Sequence, residues 1–336
     1  MSPAALRCPV SLRIAATGRY LPPRVVTSEE IDARTGMPCG WTRAHTGILE
    51  RRYAEELTAA HMGERALRAA LGAVDWGERP PDLLISGAGT PQQPIPCNAA
   101  LVASAMGWRG VACFDVNATC LGFVAALQVA AGLIASGAYA RIAIVCSEIA
   151  SSGLNWKEPE SAGLMGDGAA AVLLESCADG SGAFLGSVLE TSPEGANLTE
   201  IRGGGTALHA TAHRPGENTE EYLFHMNGPA VFRLASAKIE PFVARLIGTG
   251  ERRWESIDWV VPHQASLPAL LHIRRRLRIP AAKFVENIGR MGNVIAASIP
   301  LTLHELILSG RLQRGQTILF LGSSAGFSLG AALIRY

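Results

Sequence analysis

Three polar residues in otherwise apolar surroundings carry side chains suited to acyl chemistry. Cys120 follows a short apolar segment, 111–116, and precedes a long, almost uncharged stretch. His263 follows a second apolar segment, and Asn293 opens another apolar stretch. A thiolate can accept an acyl group as a thioester, which divides a difficult transfer into two easier steps. A neutral imidazole and an amide can both donate hydrogen bonds to the oxygen of an enolate.

Each of these residues also has a structural interpretation. A free cysteine is usually a small core residue, a histidine after a strand is often a structural hydrogen-bonding group, and an asparagine at a helix start is usually a cap. Against this, the unpaired N–H groups at a helix start would favour a thiolate at Cys120. The stretch around Cys120 alone therefore leaves two interpretations open, nucleophile and core residue.

The elements that must position these residues follow from the apolar pattern. Short apolar runs between turn signals predict strands, and longer periodic runs predict helices. The predicted strands are 10–16, 82–86, 111–116, 141–146, 169–175, 183–191, 257–262, 283–287, 317–321 and 330–334. The predicted helices are 57–73, 98–106, a long one from Cys120, 228–247, 267–278 and 293–309. Strands that alternate with buried helices indicate an α/β fold.

The two halves of the chain resemble each other. The segment 120–137 aligns with 293–310 at a constant offset of 173 residues, and both end in a Ser-Gly pair. This pattern predicts a gene duplication with two α/β halves, 1–180 and 181–336, packed together. It also places Asn293 at the position of Cys120, so we expect both residues to reach a single site.

Composition limits the class of protein. The 336 residues are 48% hydrophobic and 18% charged, which indicates a globular protein with a substantial core. A formal net charge of +1 argues against a nucleic-acid binder. The seven cysteines show no zinc-ligand spacing, so we expect no metal and reduced thiols in a cytoplasmic protein. We expect neither a signal peptide nor a membrane span, because the apolar run 111–140 fits a buried helix better.

Five motifs in order resemble the β-ketoacyl-acyl carrier protein synthase III family of the thiolase superfamily: DVNATCLGF, GDGAAAVLLE, VVPHQAS, GRMGN with AASIP, and SAGFSLGAALIRY. The resemblance covers essentially the whole chain. It implies a thiolase-like fold, with two duplicated halves in a layered α-β-α-β-α arrangement. It also implies transfer of an acyl group from a thioester to Cys120, then decarboxylative Claisen condensation with a malonyl-type thioester. Fatty acid or specialised, polyketide-like metabolism would use such an enzyme.

The resemblance also implies roles for individual residues. Cys120, His263 and Asn293 would form the catalytic triad, and the backbone N–H groups of Cys120 and Ala325 would form the oxyanion hole. Ile95 would reach the acyl tunnel from the partner subunit of a homodimer. No cofactor is implied beyond the acyl-thioester of coenzyme A or acyl carrier protein. Matching positions suggest substrate contacts at Trp41, Ile95, Met165, Met226, Gly228 and Ser266.

A basic segment is expected to receive the acyl carrier protein. Arg233, Arg275 and Arg276 occupy matched positions, and the run 272–278 is locally basic in a nearly neutral chain. A solvated helix face is the other interpretation of this run.

Three departures from the family concern coenzyme A. His45 replaces an arginine that stacks against the nucleotide, and Pro268 replaces an arginine near the pocket mouth. The segment 155–160 lacks a third arginine. Because arginine is the preferred partner of phosphate groups, these losses favour a starter delivered by a carrier protein, or an unusual acyl-thioester.

Two further functions stay open at this point. One is a synthase-like acyltransferase that moves the acyl group to an alcohol or amine without decarboxylation. The other is a non-catalytic subunit of a heterodimeric synthase. The retained Asn293 favours condensation over simple transfer, and the intact triad argues against a non-catalytic subunit.

Overall fold

The computed structural model describes residues 9–77 and 79–336; part of the segment 1–18, on which the expectation of no signal peptide rests, lies outside this range. The described chain forms two main sheets and two short two-stranded ones. The strands are β1 (Leu12–Tyr20), β2 (Arg24–Thr27), β3 (Glu50–Tyr53), β4 (Leu83–Ser86), β5 (Ala112–Asp115), β6 (Arg141–Glu148), β7 (Gly168–Ser176), β8 (Ala183–Thr191), β9 (Thr199–Glu200), β10 (His225–Met226), β11 (Trp259–Pro262), β12 (Thr317–Ser324) and β13 (Ser328–Arg335). The α-helices are α1 (Ser28–Thr35), α2 (Trp41–Thr46), α3 (Ala59–Leu71), α4 (Asn98–Met106), α5 (Gly122–Ala135), α6 (Pro159–Ala162), α7 (Gly228–Ile247), α8 (Leu267–Arg276), α9 (Ile288–Met291) and α10 (Ser298–Leu308).

The two main sheets have the same topology. The first has the order β1-β7-β6-β4-β5 and the second the order β8-β13-β12-β11. In each sheet the first three strands pair antiparallel and the third and fourth pair parallel. In the second sheet, a single parallel bridge between Val260 and Phe284 takes the position that β5 has in the first sheet. This common order supports the duplication; the boundary between halves 1–180 and 181–336 stays a prediction.

Five layers are formed, as the resemblance implied. The helices α5 and α10 contact strands of both sheets, so they form the central layer. The helices α3 and α4 cover the outer face of the first sheet, and α7, with α8 packed on it, covers the second. A helix that is covered on both sides must be apolar all round, which explains the uncharged sequence of α5. The α-β-α-β-α arrangement is confirmed.

The structure differs from the predicted repeat by one turn. Both central helices begin with a 3₁₀ turn, Thr119–Leu121 before α5 and Ile295–Ala297 before α10. The helix α5 has 14 residues and α10 has 11, so the offset of 173 holds only at their C-terminal ends. At the starts the offset is 176. The structural counterpart of Asn293 is therefore Asn117, and the predicted match to Cys120 is wrong.

One smaller prediction also needs correction. The segment 283–287 does not form a strand: Lys283 ends a 3₁₀ turn, Phe284 makes a single bridge, and the rest is irregular.

No helix in the described part of the chain is long and apolar enough to cross a membrane.

Candidate active site

Cys120 lies in the strained turn that precedes α5. Thr119, just before it, has a φ of 46°, which a β-branched residue rarely adopts. The side-chain oxygen of Asn117 accepts a hydrogen bond from the N–H of Thr119 at 3.0 Å and so holds the turn. Strained backbone of this kind is concentrated at functional sites.

Asn293 opens a turn of the same shape before α10. Ile295 has a φ of 43°, and its N–H donates to the side-chain oxygen of Asn293 at 2.9 Å. The backbone of Asn293 is held on both sides: its N–H donates to Leu164 O at 2.8 Å, and its carbonyl accepts from Gly166 N–H at 3.0 Å. Because the side-chain oxygen is engaged, the amide Nδ2 is the group left to donate to a ligand.

His263 is buried at the end of β11, with 6% of its surface exposed. Its N–H donates to Leu321 O at 2.8 Å, and its ring Nδ1 lies 2.6 Å from the hydroxyl of Ser298. Burial lowers the pKa of the imidazole to about 4. The ring is therefore neutral at pH 7, as the sequence predicted.

Gly322 in β12 brings His263 against the Cys120 turn. A Cβ atom at this position would lie 2.8 Å from His263 Cβ and 3.2 Å from Leu121 Cδ2. Real Cβ atoms hardly ever approach so closely, so glycine is required for this contact.

Gly89, in the loop after β4, brings the two strained turns together. A Cβ atom there would lie 2.8 Å from Ile295 Cγ2 and 3.3 Å from the backbone of Thr119. Together with the contact at Gly322, this packing places Cys120, His263 and Asn293 around one site.

The Cys120 thiol is protonated at neutral pH. Burial and the nearby carboxylate of Glu148 raise its pKa to about 12, although the backbone N–H groups of Ala325 and Cys120 act in the opposite direction. The raised pKa contradicts the sequence-based expectation that the helix start favours a thiolate at Cys120. The field of a helix start is weaker than the desolvation of a buried charge.

Ala325 lies in the turn between β12 and β13, and its N–H points at the sulfur of Cys120. The turn is fixed by Phe327, which is buried, has a φ of 38° and accepts a hydrogen bond from Ser192 N–H at 2.9 Å. The two N–H groups predicted for the oxyanion hole thus converge on the same sulfur.

Sequence reasoning missed two side chains of this site. Ser298, the partner of His263, is the first residue of α10. Glu148 ends β6 and is fully buried. A charged residue that terminates an apolar strand is the signal that could have identified Glu148, since buried carboxylates are uncommon without a specific partner.

The predicted substrate contacts lie in different settings. Met165 is buried and forms a parallel bridge with Asn293, so it borders the site. Ile95 is 84% exposed on the surface of the single chain. The hydroxyl of Ser266 accepts a hydrogen bond from Ala269 N–H at 3.3 Å and caps α8.

Three further predicted contacts lie outside the triad. The ring of Trp41 stacks on that of His45 with centroids 4.1 Å apart. Met226 belongs to the short strand β10 and packs against the core of the second half, and Gly228 is the first residue of α7.

Two of the three predicted docking residues line one groove. Arg275 and Arg276, in the last turn of α8, line a cavity of about 460 Å³ with Phe232, Pro268 and His272. Arg233 is exposed on α7, directly after Phe232. The ring of Phe232 is 42% exposed, an unusual position for a large apolar side chain.

Comparisons with known proteins agree with this geometry. The family described as 3-oxoacyl-[acyl-carrier-protein] synthase III matches residues 114–193, and the model of its C-terminal part matches residues 250–336. A β-ketoacyl-[acyl-carrier-protein] synthase III from Methylococcus capsulatus is 34% identical over 96% of this chain and 98% of its own. One from Aquifex aeolicus is 33% identical, with 96% and 99% covered.

Solved structures are similar over the whole chain. The 3-oxoacyl-[acyl-carrier-protein] synthase III from Aquifex aeolicus superposes with a TM-score of 0.86 at 30% identity, covering 97% of this chain and 100% of its own. A priming β-ketosynthase of a polyketide biosynthetic pathway superposes with a TM-score of 0.88 at 26% identity, covering 100% and 98%. The chain therefore belongs to the 3-oxoacyl-[acyl-carrier-protein] synthase III family, acyl-transferring condensing enzymes with a thiolase-like fold.

Proposed function

We propose that Cys120, His263 and Asn293 carry out a two-step condensation in this chain. Cys120 accepts the starter acyl group, while His263 and Asn293 bind the thioester carbonyl of the malonyl-type extender. The observation that carries this proposal is the convergence of the site: two backbone N–H groups point at the sulfur of Cys120, and His263 packs over its turn through Gly322. Preorganised donors of this kind stabilise oxyanions at no cost in reorganisation.

The first step begins from a thiol. The sulfur of Cys120 forms a bond to the acyl carbon of the incoming thioester, the bond to the leaving sulfur breaks, and the thiol proton goes to that leaving thiolate. The tetrahedral oxyanion formed on the way accepts hydrogen bonds from the N–H groups of Cys120 and Ala325. The product is an acyl thioester on Cys120.

The second step releases carbon dioxide. The carboxylate of the malonyl-type thioester leaves as carbon dioxide, and its electron pair forms an enolate. The Nε2–H of neutral His263 and the Nδ2–H of Asn293 donate to the enolate oxygen. The enolate carbon then bonds to the acyl carbon on Cys120, and the bond from that carbon to sulfur breaks. The sulfur leaves as a thiolate, which takes a proton from solvent to restore the thiol, and a β-ketoacyl thioester results.

A synthase-like acyltransferase, which passes the acyl group to an alcohol or amine, needs no enolate donors. The geometry of Asn293 favours condensation, because its Nδ2 is left to donate. Incubation with an acyl-thioester and mass spectrometry of the Cys120 peptide tests the first step. Addition of malonyl-carrier protein tests the second. Carbon dioxide release means condensation, an adduct without it means acyl transfer, and no adduct overturns both.

We infer that a carrier protein, and not coenzyme A, delivers the starter. The ring of His45 stacks on Trp41 at 4.1 Å between centroids and so covers one face of the indole. The segment that lacks an arginine is engaged within the chain: Trp156 lies under Arg34, and Lys157 pairs with Glu220 at 2.5 Å. These contacts engage Arg34 and Lys157 within the chain, and this engagement supports weak binding of nucleotide phosphates. Comparable KM values for coenzyme A and carrier-bound starters would contradict this inference.

The groove around Phe232 is the proposed carrier-protein docking surface. Its cations are Arg233, Arg275 and Arg276, of which Arg276 also lies 3.8 Å from Glu240. An acidic carrier would meet both positive charge and an exposed aromatic ring. Interface affinity of this kind combines electrostatic steering with apolar contact.

We further propose a homodimer in which Ile95 enters the partner's acyl tunnel. Its support is the exposure of Ile95 at 84% and the position of β5 as an unpaired edge of the first sheet. Edge strands with exposed apolar neighbours are usually covered. Sedimentation as a monomer would contradict the dimer. Met165 would line the tunnel. The thioester arm would pass Trp41, Met226, Gly228 and Ser266. The enzyme would be cytoplasmic and would need no bound cofactor.

A further inference from the structure

Glu148 joins two parts of the site. Its carboxylate is fully buried and accepts hydrogen bonds from the N–H groups of Gly89 and Thr90, each at 2.8 Å, and from the Thr90 hydroxyl. A further donor is the N–H of Ala296, which lies in the 3₁₀ turn after Asn293. The donors thus come from the loop after β4 in the first half and from the start of α10 in the second.

The charge of Glu148 has no cationic partner. Within residues 9–77 and 79–336 no salt bridge reaches this carboxylate, so only hydrogen bonds compensate its burial. The titratable groups that face it are the thiols of Cys120, across the site, and Cys146, on its own strand; its negative charge raises the pKa of both. Gly89, which donates to this carboxylate, also packs against the backbone of Thr119 and the side chain of Ile295. Glu148 is therefore connected to the Cys120 turn as well as to the Asn293 turn.

We propose that Glu148 is a positioning residue of the condensation, which aligns the Cys120 and Asn293 turns through its hydrogen bonds to the loop between them and whose charge acts on Cys120. This inference rests on the proposed roles of Cys120 and Asn293. Its chemical consequence concerns the first step: a protonated Cys120 brings into the site the proton that the leaving thiolate requires. It also protects the free enzyme from alkylation, because the thiolate is the reactive form of cysteine.

The carboxylate itself titrates near neutrality. Burial raises the pKa of Glu148 to about 7, while the hydrogen bonds from Thr90 and the backbone act in the opposite direction. Below this pH the carboxyl group is neutral and its influence on Cys120 disappears; above it the carboxylate is charged and the influence is complete. The change in the alkylation rate of Cys120 that results from removing this charge should therefore grow between pH 6 and pH 8.

The test is the rate of Cys120 alkylation by iodoacetamide from pH 6 to pH 10, followed by peptide mass spectrometry. In Glu148→Gln we expect alkylation at pH 8 and above to be about three- to tenfold faster, as for a thiol pKa lowered by half to one unit. Carbon dioxide release in the condensation assay should fall about tenfold or more, the effect of one lost buried hydrogen bond. At pH 6 the alkylation rates of the two proteins should converge.

Thr90→Val provides a second variant with the carboxylate intact. Loss of the Thr90 hydroxyl raises the pKa of Glu148, so alkylation should be faster than in the wild type at pH 7.5 and equal to it at pH 9. Glu64→Gln is the matched control, because Glu64 pairs with Arg68 on the surface of α3. In this variant neither the alkylation of Cys120 nor the release of carbon dioxide should change.

Unchanged or slower alkylation in both site variants would overturn the proposal, because a purely structural carboxylate gives no acceleration. Alkylation needs no acyl substrate, so this result is distinguishable from failure of the proposed function, which is the absence of an acyl adduct on wild-type Cys120.

Discussion

At the scale of single residues, the balance of charges around Cys120 decides its chemistry. A helix start contributes about 0.3–1 kcal/mol toward an anion, whereas burial can shift a pKa by several units. The pKa of Cys120 is accordingly raised to about 12 by burial and Glu148. In the proposed mechanism, the thiol of Cys120 therefore loses its proton only when a thioester is bound and the sulfur accepts the acyl group.

The orientation of His263 depends on Ser298. If Nε2 carries the proton that binds the enolate oxygen, Nδ1 must accept from the Ser298 hydroxyl, 2.6 Å away. In Ser298→Ala we expect carbon dioxide release to fall about 10- to 100-fold, the effect of an unsatisfied buried group. The Cys120 adduct should still form. Ser309→Ala, at the other end of α10, is the control, because its hydroxyl only donates to Leu306 O.

The pH profile checks the same assignment. Because the folded pKa of His263, about 4, lies below the ordinary value of 6.5, its neutral form is the stable one in the fold. The unfolded chain binds more protons between these values, so stability falls as the pH drops from 6.5 toward 4. We expect no inflection from His263 in the condensation rate above pH 5. An inflection near pH 6.5 that disappears in Ser298→Ala would contradict a permanently neutral ring.

At the scale of elements, the site consists of two strained turns, each at the start of a central helix, and the strands packed on them. Gly322 is the contact that sets their distance, because its missing Cβ leaves room for His263 and Leu121. In Gly322→Ala we expect a loss of about 1–3 kcal/mol of stability from overpacking, together with loss of condensation. Thermal unfolding and the carbon dioxide assay measure the two effects.

Gly132 offers the matched control. It lies in α5 with open space around its Cα, and an alanine there should be neutral or stabilise the helix by about 0.5–1 kcal/mol. Equal behaviour of the two alanine variants would contradict a specific role for Gly322.

The elements also show which features a single sequence can predict. The helices 98–106 and 228–247 were predicted with their observed bounds, because a run of helix formers ends at glycine in both. The three residues of the proposed triad were predicted from their motifs, and the structure brings them around one site. The pairing of Asn293 with Asn117 was missed, because a helix one turn shorter shifts the alignment by three residues without changing its apolar pattern. Glu148 was missed because three of its four hydrogen-bond donors are backbone N–H groups, which the types of the side chains do not reveal.

At the scale of the whole molecule, two similar sheets hold the two central helices between them, so the site forms where the halves meet. In the proposed mechanism each half contributes what the other lacks: the nucleophile comes from the first half and the enolate donors from the second. The outer layer of the second half, formed by α7 and α8, carries the proposed docking surface for the carrier protein.

Charge reversal of Arg275 and Arg276 tests this outer layer. In the variant Arg275→Glu/Arg276→Glu we expect the KM for the carrier-bound substrate to rise about tenfold or more, since charge pairs at interfaces are worth about 1.5 kcal/mol or more. The KM for a small acyl-thioester should change little. Arg335→Glu, exposed at the far end of β13, is the control. Equal effects on both substrates would contradict the docking surface.

One measurement tests most directly whether the two halves have the separate roles proposed for them. It is the release of carbon dioxide by the variant Asn293→Ala after Cys120 has been acylated. The strained Asn293 turn does not hold the sulfur, so the variant should form the acyl adduct at a rate close to that of the wild type. Release of carbon dioxide from malonyl-carrier protein should then fall about 100-fold or more, as for loss of an oxyanion donor. Wild-type release by this variant, or loss of the adduct itself in a folded protein, would contradict the proposed mechanism.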